Sequence, residues 1–405
     1  MKIGILTFQP SLNYGGILQC LALKQTLEAM GHSVSVFRRS TPWFDSTIDG
    51  PYPMWGKRQW LKFAIRSAFG LGDFRIWLRY HRTQRFRANK LSIMPWKLRT
   101  WNDAPSNLNL DLIVVGSDMV WHCGDWGNPA PFLLEEAPVI PAIAYSASFG
   151  MKELPEQIGE GPFEGDDIHS RYRKGLAKFS AISCRESEGV QICSLLGFKA
   201  SHVVDPSLLP DFGSPRRKTD GKLLVAYLLT HSPSELLSNV SKLETFARKR
   251  GLKVRVFVRE GITQRFPSPP FPISPKKAVQ WFAYLWRQMT SHAEIRVDAG
   301  PREFLATLRE ARWMVTDSFH GLMFAMRNNC DIRILNPTNA ERSTIFSRIG
   351  EFASHIDGPL FSNGIDEALA SIERGEKVTF DYEWLNSWRA KSRNWLEVAL
   401  VKAVK

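Results

Sequence analysis

The sequence predicts an α/β protein built from two doubly wound, Rossmann-like domains. Short apolar segments alternate with segments of helical periodicity, first over residues 1–206 and again from residue 221 onward. The chain has 405 residues, more than one hydrophobic core usually organises, which favours two domains of roughly 200 residues. A composition of 44% hydrophobic and 23% charged residues is ordinary for a globular protein.

The overall charge indicates an acidic partner. A formal charge of +13 suits nucleic acid, an anionic membrane surface or phosphorylated substrates. The five cysteines contain no Cys-x-x-Cys pair, so the sequence predicts neither a disulfide framework nor a zinc site, and it favours a reducing cytoplasm. No apolar run approaches the 18 or more residues that span a bilayer, and the start of the chain is too short and too soon broken by Pro10 for a signal peptide. We therefore expect a cytoplasmic protein, either soluble or peripheral on the inner face of a membrane.

The chain opens as a strand, a loop and a helix. Residues 2–8 form a short apolar segment, residues 9–16 (QPSLNYGG) a loop, and residues 17–30 a helix closed by Gly31. The loop matches neither the dinucleotide nor the Walker phosphate-binding pattern. Asn13, Gly15 and Gly16 nevertheless place adaptable backbone at a helix N-terminus, where phosphate or carboxylate could bind. A purely structural turn is at least as good an interpretation.

Residues 40–108 interrupt this alternation with a basic, aromatic insertion. Between Trp55 and Lys90 there are ten Lys or Arg residues and a single acid, Asp73, interleaved with aromatic residues. Such a composition suits an anionic membrane surface or another polyanion. The alternative is a solvated basic insertion that packs its aromatic side chains on the domain, and the sequence does not separate the two.

Polar side chains follow several of the predicted strands in the first half. Strands over 111–117, 142–149 and 181–185 end near Asp118, Ser148 and Arg185. In open parallel sheets, ligands gather outside the carboxyl ends of the strands. An Arg there recognises carboxylate or phosphate through its planar fork, although an Arg after a strand is often only a surface charge.

The second half repeats the pattern after a segment rich in Pro, Gly and basic residues over 206–220, the predicted linker. We predict an N-terminal domain over 1–206, a C-terminal domain over 221–375, and a terminal helix over 380–405 that could pack back on the N-terminal domain. Two such domains facing a cleft have the architecture of the GT-B glycosyltransferases.

One stretch of the second half is the strongest candidate for chemistry. Residues 313–321 (WMVTDSFHG) are an apolar strand that turns directly into a helix, so backbone N–H groups and the positive end of the helix dipole face the loop. His320 would add a proton donor to that cradle. The alternative is that Asp317 or Ser318 caps the helix and His320 has only a structural partner.

Taken together, the motifs of this chain resemble those of the polysaccharide pyruvyl transferase family. Six motifs occur in the family's order: Asn13-Tyr14-Gly15, Gly116-Ser117-Asp118-Met119-Val120-Trp121, residues 145–150 (YSASFG), residues 185–189 (RESEG), residues 205–209 (DPSLL) and residues 318–321 (SFHG).

The resemblance implies transfer of pyruvate from phosphoenolpyruvate to two hydroxyls of a sugar, giving a pyruvate ketal. The sugar would belong to a surface polysaccharide or to its lipid-linked precursor. It implies His320 as the acid/base and Arg185 as the group that binds the donor's anionic groups. Ser318, Asn13 and Gly15 would support donor binding, and Arg342 is a further donor-binding candidate.

Asp118, Trp121 and Ser148 are the candidates for the acceptor side or the cleft lining. Neither a metal nor a resident cofactor is expected. Two other interpretations stay open: a GT-B-type glycosyltransferase that uses a nucleotide sugar, and a polyanion-binding module centred on the insertion. Nucleic acid is not the expected partner, because the motifs lie outside the insertion.

Overall fold

The computed structural model describes residues 1–9, 12–39, 73–123, 129–156, 167–210, 221–230, 232–258, 292–336, 349–350 and 352–404. Parts of several predictions fall outside these residues. They are the first part of the basic insertion, most of the linker, and Arg342.

The first half of the chain forms a seven-stranded parallel sheet. Its strands lie in the order β3-β2-β1-β4-β5-β6-β7, and every neighbouring pair is parallel. The bounds are β1 Lys2–Leu6, β2 Ser33–Arg39, β3 Ile93–Leu98, β4 Leu112–Asp118, β5 Ala142–Ala147, β6 Ala181–Cys184 and β7 Ala200–His202.

The second half forms a six-stranded parallel sheet in the order β10-β9-β8-β11-β12-β14. The bounds are β8 Leu223–Leu228, β9 Lys253–Val258, β10 Ala293–Ile295, β11 Trp313–Thr316, β12 Asp331–Leu335 and β14 Phe361–Ser362. A separate antiparallel pair joins β13, Ile356–Asp357, to β15, Thr379–Phe380.

Both sheets have the strand order of a Rossmann fold. In each half the first strand lies in the middle of the sheet, and the second and third strands follow it toward one edge. The fourth strand pairs with the other side of the first, and the later strands continue toward the opposite edge, which is the 3-2-1-4-5-6 order. The predicted fold class, α/β with two doubly wound sheets, is therefore confirmed. The order also creates a switch point in each sheet, between β1 and β4 and between β8 and β11, where ligands gather beyond the strand ends.

Helices connect and cover these strands. Their bounds are α1 Tyr14–Ala29, α2 Asp73–Lys90, α3 Ile168–Leu176, α4 Ser187–Leu195, α5 Pro233–Arg250, α6 Pro301–Leu308, α7 Phe319–Arg327, α8 Ile365–Glu373 and α9 Tyr382–Ala403. Helix α1 begins three residues earlier than the periodicity predicts, because the Asn13 side chain caps it by accepting a hydrogen bond from the Gly15 N–H. No helix among the residues given above is both long and apolar enough to cross a membrane.

The described part of the basic insertion is integral to the fold. Residues 93–98 are strand β3, which pairs with β2 and forms the edge of the first sheet. Helix α2 carries most of the remaining described basic residues, and Arg79 and Arg87 on it are buried. The bounds predicted for the insertion, about 40–108, stay a prediction, and strand β3 lies within them.

The two sheets share one core. A single cluster of buried apolar side chains includes residues from β1 and α1 of the first half and from α6, α7 and β12 of the second. The terminal helix α9 packs against β5 and β6 of the first half, where Ser392 Oγ accepts a hydrogen bond from the Val204 N–H at 3.0 Å. Where one domain ends and the other begins stays a prediction.

The start of the predicted linker is buried rather than extended. Pro206–Leu208 forms a short 3-10 turn that the Asp205 side chain caps. Arg327 of α7 donates hydrogen bonds to the carbonyls of Ser207 and Pro210, and Arg389 of α9 donates to those of Leu208 and Leu209. This segment is therefore held from both the second half and the terminal helix.

Candidate functional site

A buried carboxylate, Asp205, is the centre of the candidate site. It lies just after β7 and is 1% exposed. Its Oδ2 accepts hydrogen bonds from Ser117 Oγ at 2.9 Å and from Arg185 Nη1 at 3.2 Å, and it lies 3.9 Å from His320 Nε2. Asp205 thus joins residues from the ends of β4 and β6 to the first turn of α7, which belongs to the second half.

The charge of Asp205 is stabilised by its neighbours. Burial raises the pKa of this carboxyl. The charges of His320 and Arg185 and two hydrogen bonds from Ser207 lower the pKa by more than burial raises it, so it lies below the ordinary value. The two bonds come from the Ser207 N–H at 2.9 Å and the Ser207 Oγ at 2.6 Å. Asp205 is therefore an ionised carboxylate near neutral pH.

Arg185 follows β6 directly, as the strand-end argument predicts, and it is 2% exposed. Its guanidinium lies 4.7 Å from the centre of the Phe319 ring, and its Nε lies 3.7 Å from Glu186 Oε2. Burial lowers the pKa of this guanidinium, yet Asp205, Glu186 and Asp118 raise it above the ordinary value overall. Nε and Nη2 donate no hydrogen bond to any group of the residues that the structure describes. The Nε–Nη2 edge is the edge that a carboxylate or phosphate binds bidentately.

Glu186 anchors the backbone beside Arg185. Its Oε1 accepts hydrogen bonds from Ser148 Oγ at 2.7 Å, from the Phe149 N–H at 3.0 Å and from the Gly150 N–H at 3.3 Å. Ser148 is itself fully buried, so its role in the structure is to fix the end of β5 against the start of α4.

His320 lies in the first turn of α7, which Ser318 caps by accepting a hydrogen bond from the Gly321 N–H at 3.3 Å. The imidazole is 8% exposed and packs edge-on against the neighbouring Phe319 ring. Any side chain at Gly15 would collide with this imidazole, so the start of α1 and the start of α7 meet at His320. Two helix N-termini therefore converge where the motif histidine lies, and both favour an anion.

Asn13 and Asp118 lie at the rim of this cluster. Asn13 is exposed, caps α1, and has its Oδ1 3.5 Å from the hydroxyl of Tyr227 in the second half. Asp118 is half-buried at the end of β4 with a φ of 75°, a conformation that is uncommon for any residue other than glycine. Its Oδ1 accepts a hydrogen bond from the Met119 N–H at 3.0 Å, and its Oδ2 faces Gly16 of α1.

Two residues predicted to lie on the acceptor side or to line the cleft, Trp121 and Ser148, are buried, and that role stays a prediction. Trp121 is 0% exposed, packs against Phe149 and Phe179, and donates its indole N–H to the Phe132 carbonyl at 3.2 Å. Trp121 belongs to a second cluster of buried apolar side chains, and Ser148 is buried as well. Arg342 lies outside the described residues, and its predicted donor-binding role stays a prediction.

The sequence pattern does not predict the two carboxylates that organise this cluster. Asp205 and Glu186 occur in it only as members of the motifs over residues 205–209 and 185–189. The signal for Asp205 was present, since Asp-Pro stops a strand at the carboxyl edge of the sheet. Nothing in one sequence shows that both carboxylates are buried and aimed at the same guanidinium.

Two Rossmann-like sheets that share a buried Arg–carboxylate–His cluster define an α/β protein with a charged cluster where its two halves meet. A family model of polysaccharide pyruvyl transferases matches residues 13–335, and the chain belongs to this family of transferases. The matched range contains all six motifs and every residue of the cluster. The resemblance seen in the sequence is therefore confirmed.

No curated protein matches the chain. Among solved structures, it is similar to the UDP-GlcNAc 2-epimerase of Methanocaldococcus jannaschii, with 12% identity, a TM-score of 0.47 and 92% of each chain covered. It is also similar to the UDP-GlcNAc 2-epimerase of Neisseria meningitidis bound to UDP-GlcNAc, with 9% identity, a TM-score of 0.49, and 99% of this chain and 100% of that chain covered.

Proposed function

We propose that this protein transfers pyruvate from phosphoenolpyruvate to two hydroxyls of one sugar residue, forming a pyruvate ketal and releasing phosphate. The observation that carries the proposal is the Nε–Nη2 edge of Arg185, which lies in the same buried cluster as His320. A donor with both a carboxylate and a phosphate needs an Arg fork and further N–H donors, and its enol carbon needs a proton.

The donor site combines Arg185 with the two helix N-termini. The guanidinium edge takes one anionic group of the donor bidentately, while the starts of α1 and α7, near Gly15 and Ser318, attract the other. Phe319 supports the guanidinium from one face, which fixes the plane in which the fork can bind. Asp205 holds Nη1 and therefore orients the open edge.

His320 supplies and accepts protons in the proposed reaction. It donates a proton to the methylene carbon of phosphoenolpyruvate, which becomes the methyl group, while C2 develops positive charge. One sugar hydroxyl adds at C2 and gives its proton back to the imidazole. The second hydroxyl then displaces phosphate at C2 and its proton leaves with the phosphate. Asp205, 3.9 Å from Nε2, stabilises the imidazolium between these steps.

The acceptor is a sugar of a surface polysaccharide or of its lipid-linked precursor, approached from the side of Asp118. This half-buried carboxylate faces the start of α1 and can accept a hydrogen bond from a sugar hydroxyl. The proposal places the reaction in the cytoplasm, where phosphoenolpyruvate is made, with the protein soluble or bound peripherally to the inner face of the membrane. Vesicles with and without anionic lipid would test that attachment, which must fall as salt rises.

The proposal is tested by turnover. The purified protein is incubated with phosphoenolpyruvate and a panel of aryl and lipid-linked glycosides, and mass spectrometry follows the gain of one pyruvate ketal together with release of phosphate. Parallel reactions with UDP-sugars test the nucleotide-sugar alternative. Ketal formation from phosphoenolpyruvate supports the proposal, and glycosyl transfer from a UDP-sugar without any ketal would overturn it.

A further inference from the structure

Helix α2 lies between the two halves of the protein and contacts both. Arg79, in its middle, is 2% exposed. Its Nη1 donates a hydrogen bond to the Val258 carbonyl at the end of β9 at 3.0 Å, and its Nη2 donates to the Leu12 carbonyl at 3.1 Å. One guanidinium therefore ties the loop before α1 in the first half to a strand end of the second half.

The guanidinium of Arg79 also contacts Tyr14, the first residue of α1. Arg79 lies 4.7 Å from the centre of the Tyr14 ring, and Tyr14 stacks on Phe304 of α6 with the ring centres 4.5 Å apart. Burial raises the pKa of Tyr14, so its hydroxyl stays protonated and donates to the Ala299 carbonyl at 2.7 Å. Gly15, which follows, packs against His320.

A second arginine of α2 fixes the helix to the second half. Arg82 Nη1 bonds to Asp298 Oδ2 at 2.6 Å and to the Asp298 carbonyl at 3.0 Å, and its Nε lies 3.8 Å from Glu303 Oε1. The helix passes so close to α6 that a side chain at Gly300 would collide with the Cβ of Arg82. One turn further on, Arg87 bonds through Nε and Nη2 to Gln9 Oε1, at the start of the same loop of the first half.

We infer that α2 is a bridge between the halves and that Arg79 is a positioning residue, which sets Leu12 and the first turn of α1 against His320. Helix α2 belongs to the basic insertion, whose composition also suits a membrane surface, but its buried arginines hold the two halves together. Arg79 and Arg87 face protein groups, and Arg82 is ion-paired within the protein. Arg85, on the same helix, is exposed and makes the matched control.

The test compares Arg79→Met, Arg82→Gln and Arg85→Gln in the full-length protein. Its kinetic part rests on the proposed function: the KM for phosphoenolpyruvate should rise about tenfold in Arg79→Met, since two hydrogen bonds from a charged donor are lost. Arg82→Gln should give a smaller rise and Arg85→Gln none. A merely structural role would instead lower the active fraction, and with it the apparent kcat, while leaving KM unchanged.

Hydrogen exchange of the ligand-free protein gives a second readout that needs no substrate. The first-turn amides of α1, at Gly15, Gly16 and Ile17, should exchange about tenfold faster in Arg79→Met than in the wild type or Arg85→Gln. If the wild type does not use phosphoenolpyruvate, the proposed function fails, and exchange alone still decides the role of α2.

The inference is overturned if folded Arg79→Met and Arg82→Gln keep both the wild-type KM and the wild-type exchange. An equal effect of Arg85→Gln would also overturn it, since the change would then follow from charge alone. Should Arg79→Met fail to fold, Arg82→Gln decides, because the Arg82 side chain is about one-third exposed, at 32%, and its loss leaves the two carbonyls bound by Arg79 satisfied.

Discussion

Two arginines of this protein are buried to the same degree and serve different ends. Arg79 and Arg185 are each 2% exposed, and each lies 4.7 Å over an aromatic ring. Arg79 bonds to two backbone carbonyls that belong to opposite halves. Arg185 faces the carboxylates of Asp205 and Glu186, and among the described residues two of its nitrogens make no hydrogen bond. The carbonyl partners of Arg79 connect two segments of backbone, whereas the carboxylate partners of Arg185 form a buried charged cluster.

The largest expected effect follows from the proposed role of His320 as the proton-transfer group. If His320 acts mainly in the transition state, His320→Gln should lower kcat by roughly 10²–10⁴ while donor affinity changes little. Single-turnover product formation and calorimetric binding of phosphoenolpyruvate measure the two quantities separately. Near-normal turnover in a folded variant would reduce His320 to a structural partner of Asp205.

The second effect concerns stability. Asp205→Asn leaves Arg185 buried with its closest carboxylate removed, and breaking a buried pair in this way costs about 3–5 kcal/mol of unfolding free energy. The matched control is Asp366→Asn, which breaks an ion pair to Lys242 in which the Asp366 side chain is 73% exposed. Exposed pairs contribute about 0–1 kcal/mol, so urea unfolding should separate the two variants clearly. Equal losses would mean that the buried pair of Asp205 and Arg185 stabilises the fold no more than the exposed pair of Asp366 and Lys242.

The same variant makes a prediction about pH. The pKa of Asp205 is lower in the folded protein than in the unfolded chain, so its stabilising contribution is complete above the ordinary Asp pKa of about 3.9 and is lost as the pH falls through the folded value. The stability difference between wild type and Asp205→Asn should therefore shrink as the pH falls below that region. A difference that grew as the pH fell through the range below about 3.9 would contradict this sign.

A smaller effect sharpens the contrast between charge and geometry at Arg185. Arg185→Lys keeps the charge but loses the planar fork, so the Kd for phosphoenolpyruvate should rise by about 10–100-fold, more than kcat falls. Donor titrations and steady-state kinetics on the same preparation supply both numbers. An unchanged Kd with a large loss of kcat would move Arg185 from donor binding to the chemical step.

The smallest effect is expected on the free energy of unfolding when the buried Ser148 is replaced. Ser148→Ala removes one of the three hydrogen bonds to Glu186 Oε1 and leaves those from the Phe149 and Gly150 N–H groups. The loss of unfolding free energy should be about 1 kcal/mol, with donor Kd unchanged. A large rise in Kd would instead show that Ser148 contacts a substrate.

The fold was predictable because the alternation of apolar strands and amphipathic helices is a local property of the sequence. The same alternation predicted the strand ends that carry Asp118, Ser148 and Arg185, since parallel strands end at one edge of a sheet. Strand β3, residues 93–98, was not predicted because Pro95 lacks a backbone N–H donor and argues against a strand.

The remainder of the site depends on contacts that join distant segments. Asp205 and Arg185 meet across two neighbouring strands, and His320 reaches them only because the second half packs against the first. The basic face of α2 gave no hint of its partners either. An amphipathic basic helix has the same pattern whether its arginines face lipid, water or, as with Arg79, the carbonyls of another segment.

The most direct test of this account is a calorimetric titration of phosphoenolpyruvate and of UDP-sugars into the wild type and into Arg185→Met. The account predicts that phosphoenolpyruvate binds to the wild type, that its binding is lost in Arg185→Met, and that UDP-sugars do not bind with comparable affinity. Binding of UDP-sugars but not of phosphoenolpyruvate, or full phosphoenolpyruvate binding by Arg185→Met, would contradict the assignment of this cluster as the donor site.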